Sequence, residues 1–498
     1  MSAVTATAEE PVDRTDKARD VPAFLRERRH GLTLGALVAL ATAAYSVLGL
    51  VKFSAFKASI FDLVIFDQAV RGYASFGPPV APSVGMFYNQ GMDFVQPADH
   101  FSPILAVLAP LYWVYDDPRT LIVAQAALLS LAAVPVWHYT SRRLGPVPAH
   151  LVAVAYLVSW PVAQAAGFDF HEVAFVPLLS AIMIERADAG RTRYAVLAAI
   201  GILLVKEDMG LLVAGFGVYL FLIRRRLEGT ALVLMGGGAL LLIRGVVMPM
   251  IGSGGEGFHW AYGSRGATLG EVALSIVRDP FGTLWQMVSP EVKVDTMAFL
   301  LWPMLLTALL SPLVLVAVPL LVERFLADRP QWWGTDFQYN AFLAAILVCA
   351  AVDGVHRLSG RLRGRFPERS RALAGHWAFA VCVIGLTLVP RFALGNLVES
   401  SFFTEEPSVA AAREAVAMVP DGVVVEAANN VGPALSARTT VLLWGPQAYG
   451  APWIVADVTR WTFPFGGPEV QQQRVDEALR TGYTKVFDRD GYVVLKRS

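Results

Sequence analysis

Charge is what this chain lacks. Only 16% of its 498 residues are Asp, Glu, Lys or Arg, and 55% are hydrophobic, where soluble proteins carry about 25% charged residues. With a mean hydropathy of +0.50, the deficit excludes an ordinary soluble domain and predicts an integral membrane protein. The formal net charge is zero, so no basic excess points to nucleic acid. The two cysteines, Cys349 and Cys382, both fall within apolar runs. They read as small packing residues and say nothing about redox compartment. Also missing are a P-loop, an HExxH pair, a CxxC pair, a hydrolase nucleophile elbow, an internal repeat and any low-complexity tract.

Long apolar runs are what the chain has instead. A crossing takes roughly 20 apolar residues, and runs stand near 31–51, 119–140, 147–166, 172–187, 193–206, 209–224, 230–251, 297–310, 311–326, 337–356 and 374–392. They predict a polytopic α-helical membrane protein of about eleven spans. The first run is too long for a cleaved signal core and lacks a small-residue cleavage site, so it reads as a retained anchor. Residues 1–30 read as a disordered cytoplasmic tail. The arginine clusters "RERRH", "SRRLG", "ERADAGRTR", "IRRRLEG" and "HRLSGRLRGRFPERSRA" fall in every second connection. By the positive-inside rule they set the N-terminus inside and the C-terminus outside the cytoplasmic membrane.

Within the membrane domain, 31–392, the first outer loop, 52–118, is long. Its apolar stretch from Phe101 to Tyr115 carries Pro103 and Pro110. That length suits a helix lying in the interface, with Tyr112, Trp113 and Tyr115 at headgroup depth. After residue 392, helix and strand signals alternate. "AAREAVAMVP" and "PEVQQQRVDEALRTG" read as helices. "DGVVVEAAN", "RTTVLLW", "PWIVADV" and a hairpin turned at Asp490-Gly491 read as strands. This predicts a small extracytoplasmic α/β domain over 393–498.

The residues that carry chemistry gather on the outer side. In "FDLVIFDQA", Asp62 and Asp67 would point about 140° apart on a straight helix, so one faces the interior and the other water or a loop. A carboxylate at the outer interface is a candidate base for an acceptor hydroxyl, against the plainer role of helix cap for Asp62. "ADHFSP" offers His100 behind Asp99, which reads as a cap. "GFDFHEV" packs Asp169, His171 and Glu172 into one corner, for a phosphate or a divalent metal. Lys206, Glu207 and Asp208 in "LLVKEDMGLLV" interrupt some thirty apolar residues, and ionisable groups at a membrane edge are functional candidates, or else a polar turn. Arg244 lies inside "LLLIRGVVMP", snorkelling or facing a lipid phosphate. "GSGGEGFHWAYGSRG" adds His259 and Arg265, and "DFQYN" adds Gln338 and Tyr339.

"FDLVIFDQA", "HFSPILAVLAPLY", "FDFHE", "VKED", "LLSPLVLVAVPLL", "QYN" and "VPDGVVVEAANNVGPALSARTTVLLW" followed by "IVADV" stand in that order from about residue 45 to 460. In this the chain resembles the DUF2079 family of predicted bacterial membrane proteins. Family members often place a second aromatic or histidine after Gln-Tyr, where this chain reads "QYNAF". The layout also resembles the GT-C superfamily of polyprenyl-phosphate-sugar-dependent glycosyltransferases. That resemblance implies a lipid-linked sugar donor and a cell-envelope glycan, lipid or protein acceptor. It makes Asp62 the favoured base with Asp67 second, and Lys206, Arg244, Arg265 and His171 candidates for the lipid-linked phosphate. Two other classes stay open. A transporter would place polar groups at mid-membrane and often show a repeat; a non-catalytic assembly protein would use the outer domain as its binding module.

Overall fold

The structure is a computed structural model that describes residues 16–252, 260–363 and 367–498. A helix from Asp16 to Ser54 carries the first apolar run, so regular structure starts ahead of that run and inside the segment expected to be disordered. Five helical stretches among the described residues are long and apolar enough to cross a membrane: Arg28–Ser54, Arg119–Leu144, Arg226–Met250, Ala341–Leu362 and Ala372–Arg391. The pair Pro146–Leu157 and Trp160–Gly167, bent by 41°, makes a sixth if counted as one span.

The other expected runs take shorter forms. Phe175–Asp188, Thr192–Leu203 and Gly210–Leu222 are helices of 14, 12 and 13 residues. The runs at 297–310 and 311–326 are not continuous helices. Pro303 and Pro312 interrupt the ladder, the chain passes through 3-10 turns with Leu305 and Leu306 left-handed, and an α-helix resumes only at Val318–Leu326, with Pro319 in its first turn. The stretch Pro103–Tyr112 is a short apolar helix below crossing length, with Val107, Trp113, Val114 and Tyr115 exposed.

Small residues set how closely the helices pack. Gly217 and Gly229 face each other, and so do Gly210 and Gly236; a Cβ on Gly217 would lie 2.6 Å from the Gly229 carbonyl oxygen. Backbone contact of that kind is how membrane helices gain dispersion energy when lipid removes the hydrophobic drive. The alanine-rich helix Ala341–Arg363 runs through the middle of the bundle, with nearly all of its first fifteen residues buried.

The C-terminal domain is a five-stranded sheet: β1 Val424–Ala427, β2 Thr440–Leu443, β3 Trp453–Asp457, β4 Tyr483–Arg489 and β5 Tyr492–Arg497. Its order is β2-β1-β3-β5-β4. The first three strands are parallel, and β5 runs antiparallel to β3 and β4. Helices Pro407–Ala417 and Pro468–Arg480 complete it. Its hydrophobic core also contains Phe56, Ile60 and Val64, so the start of the first long loop is built into this domain. Asp62 and the sheet therefore share one end of the molecule.

Candidate functional site

The segment after Ser59 cannot run as a straight helix. Phe61 and Asp62 leave helical geometry, Asp62 at φ 153° and ψ −73°. Such positive φ is strained for a residue with a Cβ and persists where surroundings over-determine it. The break replaces the expected straight-helix geometry and separates the two aspartates.

Asp62, 28% exposed at its side chain, places Oδ1 3.0 Å from His171 Nε2. The other ring nitrogen, Nδ1, lies 3.2 Å from the Asp169 carbonyl oxygen, while the His171 N–H donates to Gln125 Oε1 at 3.0 Å. Both ring nitrogens thus face acceptors, which is the geometry of an imidazolium. Phe168 stacks on the ring at 5.4 Å and Phe66 meets its edge at 5.6 Å. Burial raises the Asp62 carboxyl above its ordinary value, and the His171 charge only partly offsets this. For His171, burial opposes the charge, but Asp62, hydrogen-bonded to the ring, and Glu172 outweigh it and lift the imidazole. Asp169 is a brace: it takes Lys52 Nζ at 3.0 Å and the Ser59 N–H and Oγ–H at 2.8 and 2.6 Å.

Lys206, Glu207 and Asp208 form the turn between the helices Thr192–Leu203 and Gly210–Leu222. Glu207 is buried and accepts from His100 Nδ1 at 3.0 Å and the Phe101 N–H at 3.2 Å, with Arg244 Nη2 at 3.8 Å. Lys206 Nζ stands 3.7 Å from Glu172 Oε1. Burial opposes the Lys206 charge, yet Asp208, Glu172 and Glu207 together hold the ammonium above the ordinary lysine range. A chamber of about 30 Å³ lies between them, lined by His171, Glu172, Lys206, Asp208, Gln338 and Tyr339. That volume holds a few waters and no more. Glu172 Oε2, Asp208 Oδ1 and Gln338 Oε1 are buried there without a hydrogen-bond partner, as is Arg244 Nε beside Glu207, a costly arrangement in a finished core.

Other candidates lie elsewhere. Asp67 is fully buried, bonded by Arg71 Nη2 at 3.0 Å and the Tyr112 hydroxyl at 2.7 Å. Arg265 is held by Gln286 at 2.6 Å and Thr283 at 3.0 Å inside a hairpin of the helices Leu269–Arg278 and Pro280–Val288. His259 falls outside the described residues. Asp99 ends the short helix Gln96–Asp99, and the next turn starts behind Ser102 with no side-chain cap. Sequence reasoning missed Lys52, Glu323, Arg324 and Trp332; the last three also line the chamber. Glu323-Arg324 in "LLVERFLAD" interrupts an apolar run as "VKED" does, so the same signal was there to find.

Among the described residues, no group of three or more His, Cys, Asp or Glu is arranged to hold a metal ion. In the corner singled out for one, both Asp169 oxygens are engaged by Lys52 and Ser59. The residues present do not fit a metal there.

In fold the chain is similar to ArnT from Cupriavidus metallidurans, solved bound to undecaprenyl phosphate; the match covers 92% of this chain and 97% of that one, at TM-score 0.50 and 13% identity. It is also similar to the oligosaccharyltransferase of Archaeoglobus fulgidus, solved tethered with an acceptor peptide, over 93% of this chain and 74% of that one, at TM-score 0.45 and 12% identity. No curated protein matches the sequence. The DUF2079 family, described as predicted membrane proteins, matches residues 52–494. The chain belongs to that family.

Proposed function

We propose that the protein is a GT-C-type membrane glycosyltransferase that moves a sugar from a polyprenyl-phosphate donor to a hydroxyl-bearing acceptor of the bacterial cell envelope. Asp62 is the general base, on the outer face of the cytoplasmic membrane. The observation that carries the reading is the Asp62–His171 pair standing beside a chamber with Lys206 in its wall, where Lys206 and the neighbouring Arg244 are incompletely used. The Lys206–Glu172 and Arg244–Glu207 pairs, at 3.7 and 3.8 Å, are too long for hydrogen bonds, so both cations keep N–H donors for a phosphate. The fold shared with ArnT, solved with a polyprenyl phosphate bound, supports the same donor class.

Chemically, the bond between the anomeric carbon and the phosphate oxygen breaks as the acceptor oxygen attacks. Its proton passes to Asp62 Oδ, and the polyprenyl phosphate leaves. Negative charge grows on the departing phosphate, where fixed cations lower the barrier; Lys206 and Arg244 fill that role. His171, with both nitrogens facing acceptors, holds the Asp62 carboxylate in place and offsets part of the cost that burial puts on its ionised form. Asp67 serves the fold through Arg71 and Tyr112 rather than the reaction. The chamber is too small for a sugar phosphate as it stands, so binding must part the turn at Lys206 from the turn at Gln338-Tyr339.

The test is transfer from radiolabelled polyprenyl-phosphate sugars by purified protein in membranes, with Asp62→Asn beside the wild type. Turnover lost while folding and donor binding persist places the base. A wild type that binds no donor and transfers nothing across a broad panel sinks the reading.

A further inference from the structure

In open sheets with parallel strands, ligands usually sit beyond the carboxyl ends of the strands. In this domain that position is taken by the protein itself. Asn429 follows β1 by two residues, and its N–H donates to Thr462 Oγ1, past β3, at 3.2 Å. Its carbonyl accepts the Ile60 N–H at 2.8 Å, and its side-chain Oδ1 accepts the Phe61 N–H at 3.0 Å. Ile60 is fully buried and fills space that only a glycine leaves free: a Cβ on Gly432 would come within 2.2 Å of the Ile60 side chain. Phe61 packs on Phe463 of the domain at 5.1 Å. One residue earlier, Ser59 is tied to Asp169 of the membrane domain. Asp62, at its strained φ, comes directly after these clamps.

We infer that Asn429 is a positioning residue: the outer domain uses its strand ends to grip Ile60 and Phe61 and thereby hold Asp62 against His171. The inference rests on the proposed role of Asp62 for its meaning, and its test does not. The outer domain then acts on the reaction through the backbone of the first loop and is more than a lid or an acceptor platform. It also accounts for the positive φ at Asp62, because the backbone just ahead of it is fixed by both domains, by Asp169 at Ser59 and by Asn429 at Ile60 and Phe61.

The experiment uses the full chain in lipid nanodiscs and compares Asn429→Ala, which removes the Oδ1 acceptor, with Asn429→Asp, which keeps one. Amide exchange is followed at Phe61 and at Val425 and Val455 in the sheet, and the His171 midpoint by NMR of ring-labelled histidine. In Asn429→Ala, Phe61 exchange should quicken roughly tenfold while the sheet amides stay protected. The His171 midpoint should fall toward the free imidazole value of about 6.5, because its carboxylate partner moves away. Asn429→Asp should keep Phe61 protected. A folded sheet with Phe61 exchange and the His171 midpoint unchanged in Asn429→Ala overturns the inference, as does Asn429→Asp releasing Phe61 like alanine. Should alanine loosen the sheet itself, Asn429→Gln, whose amide oxygen is displaced by one methylene, is read in its place against the same two outcomes. Transfer is assayed last. If the wild type transfers no sugar but the His171 shift occurs, the glycosyltransferase reading falls and the positioning role stands.

Discussion

Two buried ion networks sit toward opposite ends of the helix bundle, and they are built differently. In the arginine-rich one, every carboxylate oxygen has a partner. Glu185 is met by Arg142 and Arg186, and Asp188 by Arg143 at 2.6 Å and Arg142 at 3.1 Å. Asp353 is met by Arg143, by Arg357 at 2.6 Å and by the Ser311 hydroxyl. At the Asp62 end, ion pairs stretch to 3.7 and 3.8 Å, and Glu172 Oε2 and Asp208 Oδ1 are buried without a partner. A network whose carboxylates are all paired, with only Arg143 Nε buried and unpartnered among these groups, braces helices. One that keeps donors and acceptors in reserve is suited to a ligand that brings its own charge.

The contrast breaks most sharply at single carboxylates. Asp62→Asn should cut transfer by about 10²–10⁴-fold, the usual worth of a general base, and leave thermal unfolding nearly unchanged, because Asp62 is part-exposed with a single side-chain partner. Arg143→Ala should do the reverse. It removes the cation that Asp353 and Asp188 share and leaves each with one other arginine, so the cost should stay below the roughly 3–5 kcal/mol of a buried charge left with no partner, read as a lower unfolding temperature with turnover per folded molecule intact. Asp67→Asn should follow Arg143→Ala in kind, since Asp67 is sealed beneath Arg71 and Tyr112. A transfer defect in Asp67→Asn without loss of stability would move the base from Asp62 to Asp67.

A next step in size falls on Lys206. A hydrogen bond to a charged group contributes roughly 1.5–3 kcal/mol, so Lys206→Met should weaken donor use by roughly 10–100-fold, seen in kcat/KM. Because Lys206 stands 3.7 Å from Glu172, beyond hydrogen-bond length, the variant should lose little stability. A large drop in unfolding temperature would show that the Asp62 end is a structural network like the other.

Much of this was legible in the sequence where the physics is local. Apolar length marked the membrane helices, alternation and turn residues marked the strands up to the Asp490-Gly491 hairpin, and charges inside apolar runs marked Lys206, Glu207 and Asp208. Tertiary pairing is non-local and left no such mark. Nothing in "FDLVIFDQA" says that Phe61 and Asp62 leave the helix, because the groups that bond the backbone there, Asp169 and Asn429, lie far along the chain. Asp67 and Asp62 look alike in sequence, and the positions of Arg71 and Tyr112 in space separate a sealed carboxylate from a reachable one. The two runs after residue 297 looked like spans because hydropathy counts apolar residues and discounts proline. The two short helices of the hairpin that holds Arg265, with Phe281 and Trp285 exposed, are 10 and 9 residues long and fall well below the length at which an apolar run registers as a span.

The smallest effect expected is also the one that bears most closely on chemistry. Burial raises the Asp62 carboxyl, so the base loses its proton only above the ordinary carboxylate range of about 3.9. The acid limb of the transfer rate should lie above that value. The His171 charge pulls the other way and favours ionised Asp62. In His171→Gln that help is gone, the Asp62 carboxyl rises further, and the acid limb should move to higher pH, with the rate at high pH reduced far less than at low pH. The arginine end predicts no such movement: Arg357→Gln leaves Asp353 with Arg143 and Ser311 and should not shift the profile. A limb that stays put in His171→Gln would show that Asp62 does not titrate in the reaction and that the pair is held together for structure alone.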